Sequence, residues 1–364
     1  LTDADFNVAL GYAALSSDDV GNHTVAIGHG ALFSQNYATA TDSNNTAVGW
    51  NSGNALTTGI SNTIVGGRAG DSFTDADFNV AIGMDALTAD TLGSGSTALG
   101  LGALSTQNFT TATYSHNTAV GFQAGLSVTT GLSNTLIGSQ AGHNLTDGAE
   151  NVAIGVQALR AEDGNGQNTA VGMQALEDLN AGATGNNTAV GHIAGRRMTT
   201  GTENTLIGAA AGDALTTGSL NVVLGRDALG VDTKGNRSTA LGRFALGTQN
   251  FTTSTDTYNV AIGYSAGGLL TVGIRNTIVG SLAGDALSDA DDNTVFGYNA
   301  LSSDTLGSKT VAIGRSALSS QNFTTATDTY NTAVGYNAGG QVTTGESNNL
   351  IGGLAGDALT TGSY

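Results

Sequence analysis

The sequence predicts an all-β fold, a parallel β-solenoid (β-roll) of about twenty 17-residue coils. A pattern of the form Asn-Thr/Val-Ala-aliphatic-Gly-x-x-Ala recurs twenty times, and its glycines keep a 17-residue spacing, as from Gly49 to Gly66 to Gly83. Every fourth gap is wider, as from Gly28 to Gly49. A repeat this short cannot bury its own apolar side chains, so it is stable only when it is stacked on copies of itself. We therefore expect a stack of coils rather than a globule with a pocket.

Each coil is numbered here from its recurring glycine as position 0, so that Gly49 and Gly66 are position 0 of consecutive coils. Position −1 is large and apolar in every coil, position −3 is Val or Thr in nineteen of the twenty, and position −2 is Ala in thirteen. Apolar residues at alternate positions, rich in β-branched side chains and ended by Gly, indicate a strand rather than a helix. Coils stacked at the strand spacing of about 4.8 Å would give a rod on the order of 95 Å long.

The wider gaps define a second, longer period that spans four coils. We predict one repeat domain, 1–364, with super-repeats 1–72, 73–144, 145–214, 215–286 and 287–358 and the start of a sixth at 359–364. Four super-repeats carry an insert in their second coil, and the third has Ala181-Gly182-Ala183 instead. The inserts begin Gln35-Asn36-Tyr37, Gln107-Asn108-Phe109, Gln249-Asn250-Phe251 and Gln321-Asn322-Phe323. We expect them to project as loops.

Side chains alternate between the two sides of a strand, so positions −3 and −1 face one way and position −2 faces the other. We expect the bulky residues to fill the interior of the coil and the Ala row to face outward, where small residues let sister chains approach closely. The expected assembly is a homotrimer. The alternative is that Ala and Gly simply fit a narrow single-chain coil.

Several segments carry a resemblance to a known family. NVAIGMDAL (79–87), STALGLGAL (96–104) and TVAIGRSAL (310–318) resemble the head repeats of trimeric autotransporter adhesins, and similar repeats occur in bacteriophage tail fibres. In the adhesin heads, SVAIG-type motifs build a left-handed parallel β-roll in a three-chain bundle. The coils here are longer, and the sequence shows neither a membrane barrel nor a coiled-coil stalk. The resemblance implies an extracellular fibre at a cell surface or on a virion.

Composition argues against several other classes of protein. The chain has 55 Gly, no Pro and no Cys, and its net charge is −18 with only 11 Lys and Arg. Nucleic acids and anionic membranes bind clustered cations, whereas Arg196-Arg197 is the one adjacent basic pair in the sequence. No apolar run approaches the roughly 20 residues that a membrane-spanning helix needs. We expect neither nucleic-acid binding nor direct membrane insertion.

No group of residues indicates catalysis, and we expect neither an enzyme nor a resident cofactor. The five histidines are scattered over three repeat positions, −5, +1 and +5, away from metal-motif spacing. Recurring acids near turns are weak candidates for calcium, which prefers oxygen ligands, with solvated turn residues as the alternative. The calcium candidates are Asp3, Asp5, Asp75, Asp77, Asp289 and Asp291, and a second acidic row consists of Asp18, Asp90, Glu162, Asp232 and Asp304.

Other recurring residues are candidates for a contact surface. Position +1 of the third coil in each super-repeat is Trp50, Phe122, His192, Tyr264 or Tyr336, and the inserts add Phe109, Phe251 and Phe323. Sequons within three inserts make Asn108, Asn250 and Asn322 candidate glycosylation sites. We expect the Asn row at position −4 to be structural, with its side chains bonded to the backbone of the same or the next coil.

The function these patterns predict is a structural, extracellular fibre or filament that spans distance and displays loops. The alternative is an adhesin or phage receptor-binding fibre that recognises a surface glycan or protein. A Thr row at position −3 is also typical of ice-binding solenoids, but Val interrupts the row and position −3 shares its side with position −1. Because the chain begins and ends in the same phase without a polar cap, we also expect a longer chain or head-to-tail filaments.

Overall fold

The computed structural model describes residues 4–164, 166–182 and 184–363. The chain forms two compact units, Leu1–Gly185 and Asn186–Tyr364, and the described residues of each unit form a parallel β-solenoid without a helix. Each unit contains ten coils, and most of their strands follow one another at the 17-residue spacing, as those that begin at Thr46 and Thr63 do. The predicted fold class is thereby confirmed.

Each coil contributes a three-residue strand at positions −3 to −1, and the coils at the inserts add two-residue strands. The first unit contains β1 (Val8–Leu10), β2 (Gly21–Asn22), β3 (Val25–Ile27), β4 (Thr41–Asp42), β5 (Thr46–Val48), β6 (Thr63–Val65), β7 (Val80–Ile82), β8 (Gly93–Ser94), β9 (Thr97–Leu99), β10 (Thr113–Tyr114), β11 (Thr118–Val120), β12 (Thr135–Ile137), β13 (Val152–Ile154) and β14 (Thr169–Val171). The second unit contains β15 (Thr188–Val190), β16 (Thr205–Ile207), β17 (Val222–Leu224), β18 (Gly235–Asn236), β19 (Thr239–Leu241), β20 (Thr255–Asp256), β21 (Val260–Ile262), β22 (Thr277–Val279), β23 (Thr294–Phe296), β24 (Gly307–Ser308), β25 (Val311–Ile313), β26 (Thr327–Asp328), β27 (Thr332–Val334) and β28 (Asn349–Ile351).

Within each unit the three-residue strands form one parallel sheet in which consecutive coils pair in register. Strand β6 pairs with β7 so that Ile64 lies opposite Ala81. The backbone N–H of Gly83 donates to the carbonyl of Val65 at 2.7 Å, which continues the ladder past the strand end. The two-residue strands pair in the same parallel sense, β2 with β4, β8 with β10, β18 with β20 and β24 with β26. Residues of equal position therefore stack as ladders along each unit.

The Ala row faces the interior of the coil and the bulky rows face outward, so our expectation about the two sides was wrong. Ala26, Ala47 and Ala81 are fully buried, whereas Leu224 at position −1 is 51% exposed. The other sides of the coil already send the residues at positions +4 and +7 into the interior, which leaves room for a methyl group at position −2. The structure thus shows the narrow coil, and the argument for a trimer built on an outward Ala face loses its basis.

The four-coil period arises from an alternation in how this narrow interior is filled. Position +4 is Leu in the first two coils of each super-repeat and Gly in the last two, and position −2 becomes Ile or Leu in the fourth coil. A Cβ atom on Gly142 at position +4 would lie 2.7 Å from Cδ2 of Leu136 at position −2 of the same coil. The larger residue at −2 therefore occupies the space that Leu fills elsewhere, which keeps the interior close-packed.

The Asn row at position −4 forms a buried ladder, as predicted. The Oδ1 atom of Asn45 accepts hydrogen bonds from the backbone N–H of Asn62 at 2.9 Å and from its Nδ2 at 3.2 Å. Nδ2 of Asn62 also donates to the carbonyl of Ala76 at 2.7 Å. The same arrangement recurs along both units, as at Asn204 and Asn221. These bonds satisfy backbone groups that the turns would otherwise leave unpaired in the interior.

The corners of the coil hold residues other than Gly in the left-handed backbone region. In the coil of Gly83 these residues are Phe78, Asp85 and Leu87, with φ of 59°, 61° and 49°. Each such residue costs about 1–2 kcal/mol relative to the right-handed region. The cost is offset by the ladders on both sides of the corner, and the side chains at positions −5 and +2 gave no sign of it because they are chemically varied.

We expect the glycine at position 0 to be essential for stacking. Gly49 has φ of 142°, and a Cβ atom there would lie 2.5 Å from the carbonyl oxygen of Gly66 in the next coil. The substitution Gly49→Ala should lower the free energy of unfolding by about 3 kcal/mol through strain and overpacking. The matched control is Gly67→Ala, where an added Cβ meets nothing within 4 Å. Urea unfolding followed by circular dichroism measures both, and an equal loss in the two variants would contradict the stacking argument.

Candidate interaction face

One side of each sheet is turned away from the coil interior and is apolar along its middle. It is formed by positions −3, −1 and +1, which we call the outward face. At position −1, Ile207, Leu224 and Phe296 are 37%, 51% and 56% exposed. At position +1, Tyr264 and Tyr298 are also exposed. An apolar ladder of this kind lies on the surface of both units.

The outward face has the dimensions of a protein interface. From position −3 to position +1 the strand runs about 13 Å, and each coil adds about 4.8 Å along the stack. Ten coils therefore present on the order of 600 Å² in each unit. The largest apolar patch on a typical monomer is about 300–600 Å², and a standard interface buries about 800 Å² on each partner. The footprint of each face, with its Thr row included, is thus about three quarters of the area that one partner buries in a standard interface.

The row at position −3 adds hydroxyl groups to this face. Thr97, Thr135 and Thr205 are half-buried, and within the described parts of the chain their hydroxyls have no hydrogen-bond partner. Because position −3 points outward, one of the two arguments against an ice-binding surface is wrong. The other argument, the interruption of the row by Val, still applies.

Two rows mark the edges of the outward face. Position −5, just outside the face, forms the N edge, and position +1, the last row of the face, forms the C edge. On the N edge the guanidinium of Arg237 lies 5.9 Å from the ring centre of Tyr258, and on the C edge Arg243 lies 5.9 Å from that of Tyr264. Both pairs recur one super-repeat further on, as Lys309 with Tyr330 at 5.4 Å and Arg315 with Tyr336 at 5.7 Å. The apolar middle of the face thus has a cationic and aromatic rim in the second unit.

The N edge also carries ion pairs between neighbouring coils. Nε of Arg275 lies 2.6 Å from Oδ1 of Asp292, and Lys309 pairs with Asp328. The hydrogen bond from Arg275 lowers the pKa of Asp292, and the same bond raises the pKa of Arg275. Asp292 and Arg275 therefore remain charged at neutral pH, so the edge presents fixed charges to the surroundings.

The predicted contact residues divide into two groups. Trp50, Phe122, His192, Tyr264 and Tyr336 are all exposed at position +1, on the C edge. The insert residues are buried instead: Tyr37, Phe109, Phe251 and Phe323 are only 5–6% exposed. The prediction that their rings form a contact surface was wrong, because each insert folds back and pairs with the preceding coil. Only the three residues after each aromatic residue, 38–40, 110–112, 252–254 and 324–326, are exposed in succession.

The inserts are held by a buried carboxylate, at a position where the sequence favours an exposed turn acid. Asp90 is fully buried; its Oδ2 accepts from Nε2 of Gln107 at 2.6 Å, and its Oδ1 accepts from the backbone N–H of Gly93 at 3.0 Å and of Phe109 at 3.1 Å. Oε1 of Gln107 accepts from Asn117, which joins the carboxylate to the Asn ladder. Equivalent Asp–Gln pairs are Asp18–Gln35, Asp232–Gln249 and Asp304–Gln321.

Two of the calcium candidates, Asp77 and Asp291, accept hydrogen bonds from the neighbouring coil. Oδ1 of Asp77 accepts from the backbone N–H of Ile60 at 2.7 Å, and Asp291 accepts from Ile274 in the same way. Burial raises the pKa of Asp77. Among the described residues no three His, Asp or Glu side chains lie close enough to hold a metal ion together. The other candidates are Asp5, Asp75 and Asp289, which are described, and Asp3, which lies outside the described residues.

The candidate glycosylation sites differ slightly in accessibility. Asn108 and Asn322 are exposed and Asn250 is half-buried. The Oδ1 atom of each accepts a hydrogen bond from the Thr hydroxyl one coil earlier, as from Thr91 to Asn108 at 3.0 Å. Glycosylation at these positions stays a prediction.

The part of the chain that the structure describes contains no helix with the length and apolar character of a membrane span. Comparison with protein-family models, with curated proteins and with solved structures finds no match to this chain.

We expect the buried Asp–Gln pair to stabilise the insert. Gln107→Leu removes the donor to Oδ2 of Asp90 and should lower the free energy of unfolding at pH 7 by about 2–3 kcal/mol, because a buried anion loses a hydrogen bond. Burial already raises the pKa of Asp90, and the bond from Gln107 opposes that rise. The variant therefore has a still higher pKa at Asp90.

The pH dependence follows from the sign of this shift. A carboxyl group whose pKa is raised by folding destabilises the protein above that pKa, and the penalty disappears as pH falls and the group is protonated. The difference between Gln107→Leu and the parent should therefore shrink between pH 7 and pH 4 in urea unfolding. Thr110→Val, at an exposed position of the same insert, is the control. A difference that is constant with pH would exclude the role of the Asp90 charge.

Proposed function

We propose that this protein is a structural fibre whose chains associate through their outward faces, and that it acts outside the cell, at a cell surface or on a virion. The observation that supports the proposal is the apolar ladder at position −1, which the chain itself leaves uncovered along ten consecutive coils in each unit. Burying such a ladder against sister chains stabilises the assembly by about 25 cal/mol for each Å² of apolar surface removed from water. A homotrimer, in which three outward faces surround one axis, remains the assembly we propose.

The composition supports a passive, rigid role. Each unit is built by coils that contact only their neighbours, so it can be lengthened by adding coils without a new fold. Backbone ladders, buried Asn side chains and the Asp–Gln pairs hold the coils together without Cys. An acidic net charge keeps separate fibres soluble and apart.

The association proposal predicts the mass of the protein in solution. Light scattering should give a multiple of the 36.1 kDa chain, three for a homotrimer. The double variant Leu224→Lys with Ile262→Lys should weaken association by about 100-fold or more, because it buries unpaired charge at the interface. The matched control is Val231→Lys, which is 45% exposed but lies at position +6, off the outward face. A parent protein that is monomeric at all concentrations would contradict the proposal.

An ice-binding role would use the same face, but its shape favours a protein partner. Position −1 varies from Val to Phe, and position +1 varies from Gly67 to Trp50, so the face is uneven. Uneven side chains interlock with a second protein surface, whereas a crystal plane requires a flat one. Thermal hysteresis in a solution of the parent protein that the Leu224→Lys and Ile262→Lys variant loses would support ice binding by this face, and its absence from the parent would leave association as the role of the face.

The second candidate function is an adhesin or receptor-binding fibre, and the exposed aromatic residues of the C edge favour it. Aromatic rings bind the apolar faces of sugars. Among the rings of this edge, Trp50 is 55% exposed and Tyr264 is 49% exposed. A glycan array probed with the parent and with Trp50→Ala and Tyr264→Ala tests this function. Binding that both substitutions abolish would establish a receptor-binding role, and an empty array would favour the spacer.

A further inference from the structure

The two edges of the outward face carry matched residues that do not touch within one chain. Positions −5 and +1 of a coil are six residues apart, or about 20 Å along an extended strand. The ring contacts run along each edge separately, Arg237 with Tyr258 on the N edge and Arg243 with Tyr264 on the C edge. Contact between the two edges therefore requires a second copy of the chain.

Rings of three or more copies built from one repeated contact use two different surfaces, which meet head to tail around the ring. When several outward faces surround a common axis, the C edge of each copy lies beside the N edge of the next. The rows at positions +1 and −5 then become the two halves of one seam, and their charges decide how the copies are aligned along the axis.

Three alignments of the seam can be compared in the second unit. With coils level, Arg243 faces Arg237 and Arg315 faces Lys309, which places like charges together. When the C edge of each coil faces the N edge of the following coil in the other copy, Arg226 faces Arg237. When the C edge of each coil faces the N edge of the preceding coil in the other copy, no like charges meet. Each charged residue of the C edge then faces an opposite charge or an apolar residue. The pairs of this third alignment are Arg226 with Glu203, Arg243 with Leu220, Tyr264 with Arg237, Tyr298 with Arg275, Arg315 with Asp292 and Tyr336 with Lys309.

We propose that the copies join C edge to N edge with each coil of one copy beside the preceding coil of the next, so that Arg226 of one copy pairs with Glu203 of a second copy and Arg315 with Asp292. Three equal displacements along the axis could not close a ring. The copies are therefore level and inclined to the common axis, which brings the C edge of each coil level with the N edge of the coil before it. The tyrosines of the C edge then lie against the cations of the neighbouring N edge, as cation–π contacts. This inference rests on the proposed association and adds the register, the seam residues and the ring-like mode of contact. It assigns the aromatic and cationic rim to self-recognition.

The charges that the seam needs are available. Glu203, Arg226 and Arg315 are exposed, and Asp292 is half-buried. Nε of Arg226 also lies 3.2 Å from Oδ2 of Asp227 in its own chain, at an exposed position where the side chain can still reach a second partner. Asp292 already pairs with Arg275 of its own chain, so Arg315 of a second copy would complete an Arg–Asp–Arg arrangement. Rim contacts of this kind contribute mainly to alignment and to the rate of association, while the apolar ladder provides the affinity.

Engineered disulfides can read the register, because the chain has no cysteine of its own. Glu203→Cys is combined in turn with Arg226→Cys, Ala209→Cys and His192→Cys. A bond to residue 226 reports contact between a C edge and the preceding coil of the other copy. A bond to residue 209 reports level coils, and a bond to residue 192 reports contact with the following coil. Within one chain the two edges are too far apart for a bond, which needs Cα atoms about 4.4–6.8 Å apart. After mild oxidation, we expect covalent multimers with the Arg226 partner, ending at three chains, and a monomer band with the other two.

The outcomes separate this inference from the proposed function. If light scattering shows association but another cysteine pair forms the bonds, or no pair does, the seam is wrong and the association stands. If no association is seen, the proposed function itself fails. As a second measurement, Arg226→Glu and Glu203→Arg should each weaken association, and the double variant should restore it. If both single variants associate more weakly and the double variant does not restore association, the pairing of Arg226 with Glu203 is wrong.

Discussion

The narrow interior of the coil is the constraint on which the rest of the structure depends. Side chains at positions +4 and +7 enter it from two sides, so in most coils the strand contributes only a methyl group at position −2. Because neighbours on a strand point in opposite directions, the large residues at positions −3 and −1 must then face away from the interior. A solenoid that filled itself with those residues would have been complete as a monomer. This one is left with an apolar ladder on its surface.

The same constraint explains the longer period and the buried polar groups. Leu and Gly alternate in pairs at position +4, and the larger residues at −2 and +7 enter where Gly leaves space. In the coils with Leu87 and Leu104 at position +4, position +7 is Asp90 and Gln107. These two side chains make their hydrogen bonds within the interior, and they fix the insert against the preceding coil. A buried carboxylate without a cation is tolerated there, because three donors converge on it, from Gly93, Phe109 and Gln107.

Much of the fold could be predicted from the sequence, since the 17-residue period and the alternation around each glycine determine strands, stacking and register. The Asn ladder also followed, because Asn at one phase of every turn needs partners. The side of the strand that faces inward could not be predicted in this way. Alternation along a strand shows which residues share a side, but it does not show which side faces the interior. The missing signal was in the sequence: Leu32, Leu56 and their equivalents outside the strand already supply a core. Likewise, Asp occurs at position +7 of the first coil in every super-repeat that carries the Gln-Asn-aromatic insert, whereas the third super-repeat has Glu162 and no insert. This joint occurrence was a signal that the Asp side chain contacts the insert. The positive φ values at Phe78 and Asp85 had no signal, because ladders rather than residue type stabilise those corners.

The candidate function depends on which row faces the solvent, and thiol labelling tests that directly. Ala119→Cys and Val120→Cys differ by one residue in β11, and the chain offers no competing thiol. Because Ala119 faces the interior, we expect a cysteine at 119 to be protected until the protein unfolds. A cysteine at 120 should be labelled in chains kept apart by the outward lysine substitutions, and protected once chains associate. Rapid labelling at 119 with protection at 120 in separated chains would contradict this orientation of β11.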